Sequence, residues 1–565
     1  MSVAIVGLLA ALILGALLTL DLANHGLAWR TLYDLTGEEA PFPQARGFVE
    51  WLGNSTRQPL NLALDMPVNH AEVSPFGVNT FLEQEVEPAK REQQMQMIAE
   101  AGFDWIRQQF VWEDIEIHGK GDFVDTRNDP AGVDAWAKYD QIVDLAEQYG
   151  IQIQARLSNP PAWAQTAAGD FAPPADIQDY VDFAVAVAER YQGRVRYFQV
   201  WNEPNIYPEW GEQSVDPEAF TEILCRTYTA LKAVDPEIVV IAPALSPTLA
   251  LTGRDLSELV YLDRMYQAGA GGCFDILAAQ AYGFFSSPSD QRLRIFQPNF
   301  ARQQYVRDLM VRHGDADKPI WISEVAWNPI DSPDVPADLI NREGFGVVTP
   351  EQAARYLTEA YQRVAEDFPY IGVMNYWYFK PASDAEAGQS WYYFRMIESD
   401  FEPMPVYESF RDYRANLQPM LYRGVHQAED WAIESEGVLI ASAQAQFGEA
   451  LSTHAPVHFL AHGTDVIARI QGDEIPTLEI NGRPAEIIST RALSDGWTEL
   501  VLRKSSLSET FAYTLTPLND TLLLDSIQVS DHSARTQIPI MLSIGAVLLV
   551  LFGGIVWAIW QRFHG

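Results

Sequence analysis

Between Phe76 and about residue 418, short apolar runs alternate with stretches in which apolar positions recur every three or four residues. The short runs are FGVNTF from Phe76, FDWIRQQF from Phe103, IQIQARL from Ile151, RVRYFQVW from Arg194, EIVVIAPA from Glu237, FDILAAQAY from Phe274, PIWISEVAW from Pro319 and YIGVMNYWYF from Tyr370. Their length and flanking turn residues mark them as buried strands. Between them EQQMQMIAEAG, AWAKYDQIVDLAEQYG, YVDFAVAVAERYQG, TEILCRTYTALKAVD and EQAARYLTEAYQRVAED have the period of amphipathic helices, several closed by Gly or Asp-Pro. Eight strand-then-helix units predict an α/β architecture, a (β/α)8 barrel over residues 71–420.

From Trp431 to Val529 the period becomes two, in PVHFLAHG, DVIARIQ, TLEINGRP, WTELVLRK, ETFAYTLT and TLLLDSIQV, with Asn481-Gly482 as a hairpin turn. This predicts a small all-β sandwich over residues 425–532, a spacer whose Trp431, Trp497 and Tyr513 belong to its core rather than to a binding platform. Residues 23–70 carry Pro, Gly and Asn without periodicity and read as a linker packing on the barrel.

Val3–Leu20 and Ile538–Trp560 are apolar enough, and the second at 23 residues long enough, to predict terminal transmembrane helices. The first, within residues 1–22, lacks a basic start and a small-x-small cleavage site, so it reads as a signal-anchor. The second ends in Trp557 and Trp560 followed by Arg562, which places that end in the cytoplasm and the body outside.

A composition of 48% apolar residues excludes disorder. Thirty-eight basic against seventy-six acidic residues leave a charge of −38, which repels a phosphate backbone and excludes nucleic acid as a partner. With only Cys225 and Cys273, multi-cysteine metal sites are excluded; two buried thiols are expected rather than the one bridge they allow. None of the ten histidines ends a predicted strand, so neither a Ser-His-Asp triad nor a zinc motif assembles on the usual barrel face. His454, His458 and His462 recur every four residues, but Pro456 and the strand-like surroundings oppose a metal-binding helix. No metal and no cofactor are expected.

Reactive groups of such barrels sit at the C-terminal ends of strands. There Glu203 follows strand four in Trp201-Asn202-Glu203-Pro204-Asn205, and Glu324 ends strand seven in Trp321-Ile322-Ser323-Glu324-Val325. A lone strand-end glutamate is as readily a helix cap or an arginine partner. Two facing one pocket raise each other's proton affinity, and glycoside cleavage needs one carboxyl protonated and one ionised. Arg107, at the end of strand two, would hold a strand-seven carboxylate ionised. Trp112, Trp163, Trp210, Trp327, Trp377 and Trp391 lie in or beside the loops after strands, where indoles stack on sugar rings. Trp377 is the leading platform, with Trp163 and Trp210 as candidates.

The chain here resembles glycoside hydrolase clan A, the 4/7 superfamily of retaining β-glycosidases that includes cellulase-like and β-xylosidase families. WNEPN looks like that clan's acid/base strand, and Arg107, WEDIE at Trp112, PAW at Pro161 and Trp377 extend the likeness over residues 76–410. The resemblance implies Glu203 as acid/base, Glu324 as nucleophile, Asn202 as donor to the sugar 2-hydroxyl and Tyr282 as hydrogen-bond partner of the nucleophile. Many members carry His-x-Tyr on strand six, where this chain has Gln280-Ala281-Tyr282; glutamine hydrogen-bonds but does not titrate. The expectation is a membrane-anchored, extracytoplasmic retaining glycosidase acting on a β-linked polysaccharide or oligosaccharide. The alternatives are a non-catalytic glycan-binding scaffold or sensor, motivated by Gln280 and the two anchors, and a transglycosylase with the same carboxylate pair.

Overall fold

The computed structural model describes residues 15–533 except 18, 166–168, 170, 341–343, 473 and 519–520. Ile538–Trp560 and most of Val3–Leu20, the predicted transmembrane helices, lie outside these residues; among the described residues no helix is long and apolar enough to cross a membrane. The chain forms two compact units. One comprises Gln58–Pro288 and Leu293–Gln418; the other gathers the described residues up to Arg57, Ser289–Arg292 and those from Pro419 onward.

Residues 23–70, read as a linker on the barrel, contain two helices, Leu27–Thr36 (α1) and Pro41–Asn54 (α2), and up to Arg57 they belong to the second unit. The Gly and Pro that suggested a linker are helix punctuation. Gly37 caps α1 in the left-handed conformation (φ 65°), and Pro41 occupies the first turn of α2. Arg292 of the same unit donates to Thr36 O at 2.6 Å and pairs with Glu38 and Asp290.

The first unit is the predicted barrel. Its parallel strands are Phe76–Thr80 (β1), Trp105–Val111 (β2), Gln152–Ser158 (β3), Tyr197–Val200 (β4), Val239–Ile241 (β5), Leu277–Gln280 (β6), Ile320–Val325 (β7) and Ile371–Tyr376 (β8), one for each predicted run, β2 and β3 reaching one residue beyond theirs. They are ordered β5-β4-β3-β2-β1-β8-β7-β6, and single bridges Ile241↔Ile276 and Leu245↔Ala279 join the two edges. Each is followed by its helix: Pro88–Ala101 (α3), Ala137–Tyr149 (α4), Ile177–Arg190 (α5), Pro217–Val234 (α6), Glu258–Gln267 (α7), Gln303–Arg312 (α8), Pro350–Asp367 (α9) and Pro405–Asn416 (α10). Local signals set their ends. Asp176 and Asp216 cap α5 and α6, and Thr349 and Gln352 form a capping box on α9, which buries Ala353, Leu357, Ala360 and Val364. Inside the barrel Trp105, Tyr197, Trp321 and Val373 belong to one buried apolar cluster, with Tyr197 stacked on Trp321 at 5.1 Å.

The second unit's strands are Gly424–Gln427 (β9), Ile433–Ala441 (β10), Glu449–Gln471 (β11), Thr477–Ile480 (β12), Arg483–Ala485 (β13), Ser489–Ala492 (β14), Thr498–Thr516 (β15) and Leu522–Ser530 (β16). The expected hairpin is present: Asn481 and Gly482 both have positive φ and join β12 to β13. Segments read as separate strands are fused in β11 and β15, so the predicted β sandwich is built from one continuous antiparallel ladder. It folds over a core that includes Val457, Phe459, Leu500 and Ile527, with register shifts between Gly463 and Asp465. Trp497 and Tyr513 are buried and Trp431 packs on the core. His454, His458 and His462 lie on β11, each against a threonine (Thr521, Thr514 and Thr510). Four residues of strand separate neighbouring imidazoles by about 13 Å, too far to share an ion.

Cys225 on α6 and Cys273 beyond α7 form a disulfide, which corrects the expectation of free thiols; the turn at Ala270–Gly272 brings their Cα atoms to 4.7 Å across 48 residues of sequence. On a chain-entropy account a loop of this size is worth about 4 kcal/mol. Replacing both cysteines by serine is therefore expected to lower the melting temperature. The difference should vanish when the parent is melted in reductant, and a parent melting point indifferent to reductant would contradict it.

Candidate active site

A cavity of about 1350 Å³ opens among the loops that follow the barrel strands. Glu203, Glu324, Asn202, Gln280, Tyr282 and Trp377 all line it. Arg107 lies buried beneath, two residues along β2 from Trp105 and therefore on the same inward face.

Glu324 is 5% exposed at the end of β7, where the register with β6 shifts between Ile322 and Glu324; such an irregularity re-aims a side chain. Its Oε1 accepts from Arg107 Nη1 at 3.1 Å and its Oε2 from the Tyr282 hydroxyl at 2.8 Å. Arg107 also donates from Nη1 to Asn79 Oδ1 (2.7 Å), from Nη2 to Asn202 Oδ1 (2.8 Å) and from Nε to Gln199 Oε1 (2.8 Å). Burial pulls the guanidinium down to about 10, against the pull of Glu324, and it stays charged at neutral pH.

Glu203 follows β4 on a backbone turned by positive φ at Trp201 (67°) and at Glu203 itself (40°), a conformation non-glycine residues hold only where the surroundings enforce it. The enforcement is visible. Glu203 N donates to Ala244 O, and the buried Asn205 side chain bonds to Ser246 and Leu256, locking the loop after β4 to the one after β5. Gln280 Nε2 donates to Glu203 Oε1 at 2.7 Å. Burial first, then the charges of Glu324 and Glu209, push the Glu203 carboxyl up to about 8. One carboxyl thus keeps its proton at neutral pH while the other is ion-paired, the asymmetry that glycoside cleavage uses.

The tryptophans divide. Trp377 lines the cavity edge-on to Phe81, and Trp391 lines it half exposed. Trp163 does not line it: its indole donates to Glu116 O and packs against Trp112, which is itself stacked on Phe183. Trp210 is buried between Trp201 and Phe220, and Trp327 against Phe300 and Tyr356. Residues the sequence did not single out complete the site. Asn79 and Gln199 are inward polar positions on apolar strands, a readable signal. Glu209, which burial pushes up to about 7 and which bonds Asn202, opens a short strand, Glu209–Glu212, that is not one of the eight barrel strands and carries no such signature.

Arg107→Met leaves a buried carboxylate without its partner and is expected to cost about 3–5 kcal/mol of stability. Adding Glu324→Gln should restore part of that loss, and urea unfolding of the parent, single and double variants measures both.

The family model for cellulase, glycosyl hydrolase family 5, matches residues 66–269, a span that includes Arg107, Asn202 and Glu203. No curated protein matches. Solved structures similar to this chain include a family 39 glycoside hydrolase from Bacteroides cellulosilyticus WH2, at 16% identity over 80% of this chain and 82% of that one, with a TM-score of 0.46. A family 39 β-xylosidase from Caulobacter crescentus shares 16% identity over 80% and 98% (TM-score 0.43), and a family 30 endoxylanase from Clostridium papyrosolvens C71 shares 10% over 80% and 99% (0.41). The matched family and the closed eight-stranded barrel agree with the two unlike carboxyls at the ends of β4 and β7. The chain is accordingly a retaining glycosidase, and its barrel has the fold of glycoside hydrolase clan A.

Proposed function

We propose that this enzyme cleaves β-linked bonds of a polysaccharide or oligosaccharide outside the cytoplasm, with Glu324 as nucleophile and Glu203 as acid/base. The observation that carries the assignment is the difference between the carboxyls: Glu203 holds its proton, whereas Glu324 receives Arg107 and Tyr282. Glu324 attacks the anomeric carbon as the bond to the leaving oxygen breaks, and Glu203 passes its proton to that oxygen. Water then bonds the anomeric carbon, Glu203 takes the water's proton, and Glu324 leaves. Asn202, whose Oδ1 is occupied by Arg107, donates from Nδ2 toward Glu203 Oε2 at a long 3.5 Å, a contact that a sugar hydroxyl can replace, and Trp377 offers its ring to the sugar.

A cavity of 1350 Å³ exceeds the roughly 300–1,000 Å³ of a pocket for one small ligand, which favours a substrate of several sugar units. The Cys225–Cys273 bridge supports an oxidising, extracytoplasmic setting. The apolar runs Val3–Leu20 and Ile538–Trp560 are the proposed membrane anchors.

Release of reducing ends from a panel of β-linked glycans by the full chain tests the reading, with loss of roughly 10²–10⁴-fold expected in Glu203→Gln and a comparable collapse in Glu324→Gln. Retained anomeric configuration in the first product is expected, and added acceptor sugars distinguish transfer from hydrolysis. Binding without turnover would make the chain a glycan-binding scaffold. Because Glu203 acts protonated, activity should fall as pH rises through about 8. Gln280 donates to its carboxylate and so favours ionisation; Gln280→Leu is expected to raise the Glu203 pKa and move that alkaline limb to higher pH.

A further inference from the structure

Among the described residues three cations line the cavity, and two are already matched: Arg127 and Lys138 both pair with Asp114. Arg156, on β3, is different. It is 8% exposed and has no carboxylate within ion-pair distance among the described residues. Its one hydrogen bond among those residues runs from Nη2 to Gln109 Oε1 at 2.6 Å, and its Nε is buried without a partner. Gln109 is the register neighbour of Arg156 on β2, and its amide is fixed from the other side, donating to Asn159 Oδ1 at 3.0 Å. The guanidinium is therefore held in place by an amide that is itself anchored. Its Nη groups, which unlike Nε are not sealed from the cavity, keep N–H donors for whatever fills it.

A buried charge without a partner is costly, and native structures keep one where a ligand completes it. The planar fork of an arginine matches a carboxylate in two-point contact better than it matches any single hydroxyl. Glu83 and Glu209, the cavity acids whose ionisation Arg156 favours, are pushed by burial up to about 7, so neither supplies a permanent countercharge below neutrality. We infer that Arg156 receives the carboxylate of a uronic acid unit of the substrate, making the enzyme selective for an acidic glycan; this rests on the glycosidase reading of the cavity.

The test separates the two. The full-chain Glu203→Gln variant is titrated calorimetrically with β-linked glucuronate and mannuronate oligomers and with their carboxyl-reduced counterparts. One acidic oligomer is expected to bind more tightly than its reduced form by roughly 10- to 100-fold, the range of a charge-assisted contact. Adding Arg156→Gln should level the pair, and Arg156→Lys, which keeps the charge but not the fork, should restore only part of the preference. Equal affinity for acidic and reduced oligomers overturns the inference and leaves the glycosidase reading standing. Binding of neither form, together with a parent that turns over no glycan, overturns both.

Discussion

One guanidinium organises the catalytic end of this barrel. Arg107 reaches from β2 to Asn79 on β1, Gln199 on β4, Asn202 beyond β4 and Glu324 on β7. The register Asn79↔Arg107 puts the first partner alongside, while the others come from strands distant in sequence. Burying that charge is unfavourable unless its donors are filled. Glu324 must therefore lie where the arginine reaches, and Asn202 must turn its carbonyl inward. The same contacts that satisfy the arginine fix the orientation of the Asn202 amide and of the Glu324 carboxylate.

What lies below makes this arrangement stiff. Trp105, Tyr197 and Trp321 fill the interior beneath Arg107, and Gln154 and Asn375 exchange amide hydrogen bonds across the barrel at 3.1 Å. Asn79 donates to the carbonyls of Ser323 and Tyr376, so the residue that orients Arg107 also pins β7 and β8. In the turn after β4, Trp201 and Glu203 take left-handed conformations and Asn205 supplies the restraint; Asn159 after β3 and Phe284 after β6 share that backbone conformation at the cavity. The acid/base candidate is thus the mobile chemistry's neighbour on a rigid frame, not a residue of a loose loop.

The barrel was legible because buried parallel strands and their helices differ in period, and all eight runs carry a strand. Glu203 and Glu324 were legible for a related reason, since a charged residue closing an apolar strand requires an explanation. Trp163 was misjudged because a loop tryptophan looks the same in sequence whether it faces sugar or, as here, the indole of Trp112. The disulfide depends on a turn that brings residues 48 apart together, and no local pattern reports that distance. Glu209 and the single acceptor of Arg156 are likewise products of tertiary packing. In the β domain, period two located the strands but gave no sign that β11 and β15 each run through two predicted segments.

Those long strands carry a mechanical consequence. Because β11 pairs with β10, β15 and β16 along its 23 residues, the layers of the folded sheet share one backbone and have no seam along which to part. A force drawing the ends of β11 apart would act along many ladder bonds at once, loading them in shear rather than opening them one by one like a zipper.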